Sequence, residues 1–328
     1  MRNIPKIELH CHLDGSLRVE TIIDIAKQEK VDIELDYDKL KAEVQAQKDC
    51  KSLNEYLSKF EIPIKILQSK YALQRATYEL VEDASKENVK YIEIRFAPQF
   101  HRKKGLTYDE IITSVSDGIR KAEEQFDIKA RLILTVMRLD FMTDGLDVVE
   151  SGKKYLNDKV VAIDLAGPEE EHFANKYKHI IDQAKEYGYN VTIHAGEAAS
   201  AQNVIDSINI LGATRIGHGI KIENMKEAYE LVKQKGIMLE MCPTSNIQTK
   251  NAVDYKSYPL YDFYNDGINV SINTDNRCVS NIDLTYEIES IITNSKLEES
   301  NLIDMYKTMA KASFCDDQTK EWILSKLN

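Results

Sequence analysis

Two histidines stand one residue apart near the start of the chain, in the stretch ELHCHLDGS at residues 8–16. His10 and His12 are two of only seven histidines in 328 residues. Alternate side chains of a β-strand project to the same side, so both imidazole rings can reach one metal ion if this stretch is a strand. Imidazole and carboxylate groups are usual ligands of zinc. A His-x-His pair alone is a weak indication, so further ligands must come from elsewhere in the chain.

Further candidates for chemistry lie where later strand-like runs end. His194 and Asp275 are the candidate third and fourth ligands. Glu197, in the segment HAGE, is a candidate proton shuttle beside the metal, and His218 lies between two glycines in RIGHGI. Taken singly, His194 could be a hydrogen-bonded core histidine, and Asp275 or Glu197 could cap a helix. Their convergence with His10 at one end of a barrel would favour metal-dependent catalysis.

The elements that must position these residues are short apolar runs alternating with longer amphipathic segments. Strands alternating with helices indicate parallel βαβ units, and eight such units favour a closed barrel over an open sheet. We therefore predict an α/β fold, a (β/α)8 TIM barrel forming one domain over 1–328, with a helical insertion at 15–88 that caps the active site. The predicted strands are 6–13, 89–98, 128–138, 160–167, 190–197, 215–220, 237–243 and 268–275.

The alternation within each strand predicts which side chains face the barrel interior. In the first strand, Cys11 shares the apolar face, while the two histidines share the other face with Glu8. Buried polar groups are costly unless they are paired, so an inward polar set indicates a site. We expect Glu8, Glu93 and Arg95 to act as structural pairing partners. The remaining histidines are expected at the surface: His101, His172 and His179.

Composition excludes several classes of protein. The formal net charge is −11 with both signs interspersed, which argues against binding to nucleic acid or to an anionic membrane. The five cysteines are scattered and never form CxxC, so a disulfide framework or a zinc-thiolate site is not expected. The first residues, MRNIPKIELH, lack the apolar core of a signal peptide, and no apolar run approaches about 18 residues, so we expect neither a secretory signal nor a membrane span. We predict a cytoplasmic protein.

Six motifs together resemble the adenosine deaminase family of the amidohydrolase superfamily. They are ELHCHLDGSL, AIDLAG, TIHAGE, RIGHGI, EMCPTSN and SINTDN, which occur in this order and cover almost the whole chain. The resemblance implies a (β/α)8 barrel with one zinc ion, in agreement with the strand count. It also implies that His10, His12, His194 and Asp275 bind that zinc.

The resemblance assigns the chemical steps to three residues. Glu197 would protonate ring nitrogen 1 of a purine, and His218 would orient the water that zinc activates. Asp275 would accept a proton from that water besides binding the metal. The chemistry agrees, because zinc lowers the pKa of bound water toward about 7 and protonation of nitrogen 1 makes carbon 6 electrophilic.

The resemblance also implies contacts to the substrate. The backbone N–H of Gly167 would contact ring nitrogen 3, and Asp14 would hold the ribose 5′-hydroxyl. The segment LNEYLSKF at 53–60 resembles the family's gating helix, so its apolar residues would form a wall over the nucleoside; an ordinary amphipathic helix packed on the barrel is the alternative. These wall residues are Tyr56, Leu57 and Phe60.

One position departs from the family pattern. Many members have a second aspartate after the last strand, where it contacts ring nitrogen 7, and here the residue is Asn276. Nitrogen 7 is an acceptor, so a carboxylic acid would have to be protonated, whereas an amide donates at any pH. We expect function to survive this change.

The predicted activity is the zinc-dependent deamination of adenosine, and of 2′-deoxyadenosine, to inosine and ammonia in purine salvage. The alternatives within the class are adenine and 5′-methylthioadenosine; Asp14 favours a nucleoside. A binuclear amidohydrolase would need a lysine at the end of the fourth strand, and 164–167 contains none. The HxE and PCxxC motifs of cytidine-type deaminases do not fit. A catalytically silent barrel that binds nucleosides is the alternative from a different class.

Overall fold

The computed structural model describes residues 1–47, 50, 52–139 and 145–327. In this part of the chain eight parallel strands pair in sequence order, from the first to the eighth. They are β1 (Lys6–His12), β2 (Val89–Phe96), β3 (Lys129–Met137), β4 (Val160–Ala166), β5 (Asn190–Ala195), β6 (Arg215–His218), β7 (Met238–Met241) and β8 (Val270–Ile272). The predicted α/β barrel is confirmed.

The α-helices lie mostly between consecutive strands. They are α1 (Val19–Glu29), α2 (Tyr37–Val44), α3 (Leu53–Ser58), α4 (Glu61–Ile66), α5 (Lys70–Lys86), α6 (Tyr108–Gln125), α7 (Gly145–Gly152), α8 (Ala174–Tyr187), α9 (Gln202–Asp206), α10 (Lys226–Lys235), α11 (Pro243–Gln248), α12 (Leu260–Asn265), α13 (Arg277–Ser280), α14 (Leu284–Asn294), α15 (Glu299–Ala312) and α16 (Asp317–Lys326). None of them, over the described ranges, is long and apolar enough to cross a membrane.

Hydrogen bonds between the first and last strand regions complete the barrel at the height of the candidate site. The backbone N–H of His12 donates to the carbonyl of Asp275 at 2.7 Å, and the N–H of Asp275 donates to the carbonyl of His10 at 3.0 Å. Cys11 therefore forms a β-bridge with Asp275. Closure of the barrel and assembly of the candidate metal site involve the same residues.

The parity prediction for β1 is wrong at Glu8. In register, Glu8 pairs with Ile92 and Cys11 with Ile94, so three steps along β1 match two along β2. This irregularity leaves Glu8 on the outer, apolar face, because paired residues of parallel strands point the same way. There its carboxylate accepts a hydrogen bond from the guanidinium of Arg277 at 2.7 Å. Glu8 is a structural partner as expected, but outside the barrel.

Helix α6 illustrates how the outer layer packs. Its capping box begins at Thr107, and its buried positions recur every three or four residues from Tyr108 onward. Gly118 allows the close approach of α5, since a Cβ there would lie 2.6 Å from the carbonyl oxygen of Gln74. The helix thus covers the sheet with its apolar face and leaves its charged face in solvent.

The segment between β1 and β2 is the predicted insertion and folds as α1 to α5. One histidine prediction fails beside it: His101 is fully buried, and its Nδ1 lies 3.0 Å from the carbonyl oxygen of Leu67. Burial lowers the pKa of His101 to about 4. The surface prediction rested on the charged residues next to His101 in the sequence, and these do not indicate whether the ring itself is buried. His172 and His179 are exposed, as predicted.

Candidate active site

Three histidines and one aspartate meet at the carboxyl end of the barrel. They come from β1, β5 and the residues just after β8, and they are His10, His12, His194 and Asp275. The Nε2 atom of His12 lies 3.3 Å from Nε2 of His194 and 3.3 Å from Oδ1 of Asp275. The Nε2 atom of His10 lies 3.4 Å from the same oxygen. The four side chains predicted from the sequence therefore form one group that can hold a metal ion.

The spacing within this group fits a small divalent cation. Ligand atoms at the corners of a tetrahedron, with bonds of about 2.0–2.1 Å, lie about 3.3–3.4 Å from one another. The Nε2 atom of His10 is buried and has no hydrogen-bond partner among the described residues. Such orphaned polar atoms are rare in native interiors, and coordination to a metal would satisfy this one.

Two buried carboxylates orient the candidate ligands from behind. Nδ1 of His10 lies 2.9 Å from Oε2 of Glu240, and Nδ1 of His194 lies 3.0 Å from Oδ1 of Asp164. An ionised carboxylate only accepts hydrogen bonds, so each Nδ1 carries a proton and each Nε2 keeps its lone pair. Histidine ligands of metals are commonly held in this way.

These carboxylates belong to an ion network that fills the barrel interior. The guanidinium of Arg95 donates to Glu240 at 2.7 Å and to Asp164 at 3.2 Å. Arg215 bridges Glu240 and Glu93 at 2.7 and 2.5 Å. Burial alone would raise the pKa of Glu240, but the two arginines hold it well below its ordinary value. Glu93 and Arg95 are thus pairing partners as expected, each paired with residues from other strands.

The backbone near the ligands is tightly constrained. A Cβ at Gly217 would lie 3.0 Å from Cε1 of His10, so a larger residue would crowd the ring. His218 and Asp275 both adopt left-handed backbone conformations, with φ of 62° and 60°. Non-glycine residues in this region are uncommon and concentrate at functional sites.

A cavity opens directly above the ligand group. Eleven of the residues predicted for chemistry, metal binding or substrate contact line it, Phe60 among them, while His10 is fully buried beneath. The other ten are His12, Asp14, Tyr56, Leu57, Gly167, His194, Glu197, His218, Asp275 and Asn276. Sequence reasoning missed several further apolar lining residues, among them Leu53, Ile64, Phe100, Met137 and Leu139. Nothing in those residue types distinguishes them from ordinary core positions.

An asparagine that sequence reasoning also missed fixes the state of His218. The hydroxyl of Tyr258 donates to Oδ1 of Asn246 at 2.8 Å, which directs Nδ2 of Asn246 toward Nδ1 of His218 at 3.1 Å. Nδ1 is therefore the acceptor, and Nε2 carries the proton, 3.5 Å from Oε2 of Glu197. The motif EMCPTSN contains Asn246 and could have drawn attention to it.

The candidate substrate contacts surround the same cavity. Asp14 is buried, which raises the pKa of its carboxyl to about 7. Gly167 has φ of 99°, a conformation that favours glycine. Asn276 packs against Gly15, where a Cβ would lie 1.9 Å from Oδ1 of the amide. Small residues here let polar groups approach the cavity closely.

The hydroxyl of Tyr56 lies 2.7 Å from Oγ of Ser280, both buried. This bond ties α3 to α13, the short helix that follows β8, and the ring centroids of Tyr56 and Phe60 lie 6.3 Å apart. The insertion is thus attached to the barrel on the side where the candidate ligand Asp275 stands.

A profile of the adenosine deaminase family matches residues 5–328. The chain belongs to the adenosine deaminase family. Among its relatives, the adenosine deaminase of Clostridium perfringens (strain 13 / Type A) is 51% identical over 320 residues, 97% of this chain and 96% of that protein. The family resemblance drawn from the six motifs is confirmed.

Solved structures show the same fold. The N6-mAMP deaminase of Arabidopsis superposes with a TM-score of 0.88 and 26% identity, covering 99% of this chain and 98% of that one. The adenine deaminase of Arthrobacter aurescens superposes with a TM-score of 0.91 at 22% identity, covering 99% and 98%. At that identity the second likeness concerns the fold alone.

Proposed function

We propose that the chain converts adenosine to inosine and ammonia with one zinc ion held by His10, His12, His194 and Asp275. Deamination of adenosine follows from the family and from relatives of about 50% identity. The zinc ion and the roles of individual residues are the proposal. The observation that carries it is the chain of three separations, each 3.3–3.4 Å, that joins the four ligand atoms, all of which lie within 4.8 Å of one another.

The donor set suits zinc. Three imidazoles and one carboxylate are ligands that zinc accepts, and zinc can expand to five-coordinate, so a water molecule would join the four protein ligands as the fifth. When bound, zinc makes a water molecule acidic enough to attack at neutral pH.

Glu197 is proposed to deliver a proton to ring nitrogen 1. It lies at the exit of β5, is largely buried, and lines the cavity beside the ligand group. Nδ2 of Asn246 lies 3.4 Å from its Oε1, and Nε2 of His218 lies 3.5 Å from its Oε2, so both oxygens are positioned by neighbouring side chains. A carboxyl in this position can donate to a ring nitrogen and later take the proton back.

His218 and Asp275 are proposed to manage the attacking water. Nε2–H of His218 can donate to the oxygen as negative charge develops on it. The carboxylate of Asp275 can accept the proton that the water loses. As the oxygen forms its bond to carbon 6, the carbon 6–nitrogen 1 double bond opens and nitrogen 1 keeps the proton from Glu197. Asp275 then passes its proton to the amino nitrogen, the bond from carbon 6 to that nitrogen breaks, and ammonia leaves. The proton of the remaining hydroxyl returns to Glu197, which leaves the carbonyl of inosine.

The remaining polar residues are proposed to hold the nucleoside. The N–H of Gly167 would donate to ring nitrogen 3, Asp14 would hold the 5′-hydroxyl, and the amide of Asn276 would donate to ring nitrogen 7. Tyr56, Leu57 and Phe60 would cover the purine from α3 and the turn that follows it. With this segment as a cap, residues 1–328 would act as one domain.

The lining favours a nucleoside over a nucleotide. Among the described residues of the cavity wall none is lysine or arginine, and Asp14 is an acid. A phosphate would therefore meet no opposite charge. Adenine would leave the proposed partner of the 5′-hydroxyl unused, and 5′-methylthioadenosine would put a thioether against it.

A substrate panel tests this proposal. The metal-loaded protein is given adenosine, 2′-deoxyadenosine, 5′-methylthioadenosine, adenine and AMP in parallel, and kcat/KM is measured by absorbance. We expect adenosine and deoxyadenosine to be the best substrates and AMP to be among the poorest. Preference for adenine or for AMP would reject the proposed substrate.

A cytoplasmic role in purine salvage is proposed with this activity. All five cysteines are free thiols, which agrees with a reducing compartment. Fractionation of the producing cells with an antibody to the chain would test the location.

A further inference from the structure

The carboxylate of Glu169, in the loop after β4, binds the backbone of the loop after β5. Oε1 of Glu169 accepts the N–H of Gly196 at 2.7 Å. Oε2 accepts the N–H groups of Glu197, Ala198 and Ala199 at 3.0, 2.8 and 3.0 Å. Four successive backbone donors thus converge on one side chain.

Such a run of N–H groups forms a concavity that binds anions, often a phosphate. Here the chain supplies the anion itself. Nδ2 of Asn203 donates to the same Oε1 at 3.0 Å. Although burial opposes it, the charge of Arg138 and these donors hold the pKa of Glu169 below its ordinary value. The carboxylate is therefore ionised near neutral pH and bound by five donors.

Arg138 joins the same two loops from the other side. Its guanidinium donates to the carbonyl of His194 at 2.6 Å and to that of Gly167 at 2.7 Å. It also donates to Pro168 at 3.1 Å and stacks on the ring of Phe173 at 4.5 Å. The end of β5 and the start of the loop after β4 are therefore both hydrogen-bonded to the rigid guanidinium of Arg138.

These two loops carry the two groups proposed to read the pyrimidine edge of the purine. Gly167 would contact nitrogen 3, and Glu197 would protonate nitrogen 1. Both nitrogens belong to one rigid ring, so both contacts form together only if the two loops keep a fixed separation. Glu169 links the two loops through a hydrogen bond from the backbone N–H of Glu197.

We propose that Glu169 is a positioning residue that sets the separation of the nitrogen 1 and nitrogen 3 contacts, an inference that rests on the proposed function. It does not touch the substrate. Its carboxylate acts through the backbone on which Glu197 stands. Recognition of the purine edge thus depends on a residue outside the cavity lining.

Glu169→Gln tests this inference. The amide keeps the size of the side chain but offers a single acceptor oxygen, and its NH2 group would face backbone N–H groups. A misplacement of about 1 Å can reduce catalysis about 10²-fold, so we expect kcat/KM for adenosine to fall about 10- to 100-fold. The matched control is Glu170→Gln, which removes the same charge from an exposed neighbour in the same loop and should behave as wild type.

Substrate analogues distinguish a positioning effect from general damage. 3-Deazaadenosine lacks ring nitrogen 3, so its inhibition constant divided by KM for adenosine measures the nitrogen 3 contact. 7-Deazaadenosine lacks ring nitrogen 7, so the corresponding ratio measures the contact from Asn276, which lies on another loop. In Glu169→Gln the first ratio should fall about 2- to 10-fold, the worth of one hydrogen bond, while the second stays unchanged. Unchanged ratios, or equal changes in both, would overturn the inference.

Two further measurements keep the result interpretable. If Glu169→Gln does not fold, as judged by its thermal unfolding midpoint, Glu169→Asp is used, which keeps the charge but withdraws the carboxylate; the same selective fall in the 3-deaza ratio is expected. Wild-type activity on adenosine is measured first, so its absence would count against the proposed function alone. In that case, calorimetric binding of both analogues to wild type and Glu169→Gln decides on Glu169 by the same ratio.

Discussion

Nδ2 of Asn246 lies 3.1 Å from Nδ1 of His218, and this bond decides which nitrogen of the imidazole carries the proton. Asn246→Asp should replace the donor with an acceptor, force the proton onto Nδ1 and remove the donor that faces the cavity. We expect kcat to fall about 10²- to 10⁴-fold with bound metal unchanged.

Tyr258→Phe tests the same chain of hydrogen bonds more gently. Without the hydroxyl, the amide of Asn246 can rotate, and a fall in kcat of about 2- to 10-fold is expected. Tyr261→Phe is the matched control, because its ring is only partly buried and lies away from the cavity.

If Asn246→Asp kept the wild-type kcat, catalysis would not need the proton on Nε2 of His218.

A second comparison should distinguish the role of the proton donor from that of the metal ligands. Glu197→Gln removes the proton donor without touching the four ligands, so kcat should fall about 10²- to 10⁴-fold while the metal content per chain is unchanged. His194→Ala should instead lose both activity and metal. Metal loss in Glu197→Gln, or retention of full metal in His194→Ala, would reverse the proposed roles.

Much of this site could be predicted from the sequence because its chemistry uses rare residue types at strand ends. His10, His12, His194 and Asp275 were foreseen as a set, and the structure brings them together. The cavity also collects the other residues predicted for catalysis and substrate binding.

What could not be predicted depends on packing and on backbone hydrogen bonds. The bulge in β1 moved Glu8 to the outer face, and strict alternation cannot show such an insertion. Asn246 and Glu169 act through bonds to other loops, so no spacing in the sequence marks them. His101 has charged neighbours in sequence but apolar ones in space.

A third prediction concerns Asn276, the position that departs from the family pattern. Its Oδ1 is buried with no hydrogen-bond partner among the described residues, and the amide lines the cavity. Asn276→Ala should raise KM or lower kcat about 2- to 10-fold, the worth of one hydrogen bond. The effect should vanish with 7-deazaadenosine as the ligand. Identical kinetics of the variant and wild type would eliminate the contact.

A fourth prediction concerns the pH dependence of stability. Burial raises the pKa of Glu287 to about 8, although Thr244 donates a hydrogen bond to it. Because the folded-state pKa lies above the unfolded value, the stabilising contribution is complete below about pH 4.5 and is lost as the pH rises toward 8. Each pKa unit corresponds to about 1.4 kcal/mol.

The test is denaturant unfolding of wild type and Glu287→Gln between pH 5 and pH 9. The free energy of unfolding of wild type, relative to the variant, should decrease across this range, since glutamine does not ionise. Glu289→Gln serves as the control for a nearby surface charge. Parallel curves for wild type and Glu287→Gln would show that Glu287 does not titrate in this interval.

The most direct test of the account is the deamination of adenosine with and without the metal. Purified protein is stripped with a chelator, assayed by the change in absorbance of adenosine, and assayed again after addition of one equivalent of zinc. We predict loss of activity on stripping and its return with zinc, with His12→Ala failing to recover. Activity that survives complete removal of the metal, or that zinc does not restore, would contradict the account.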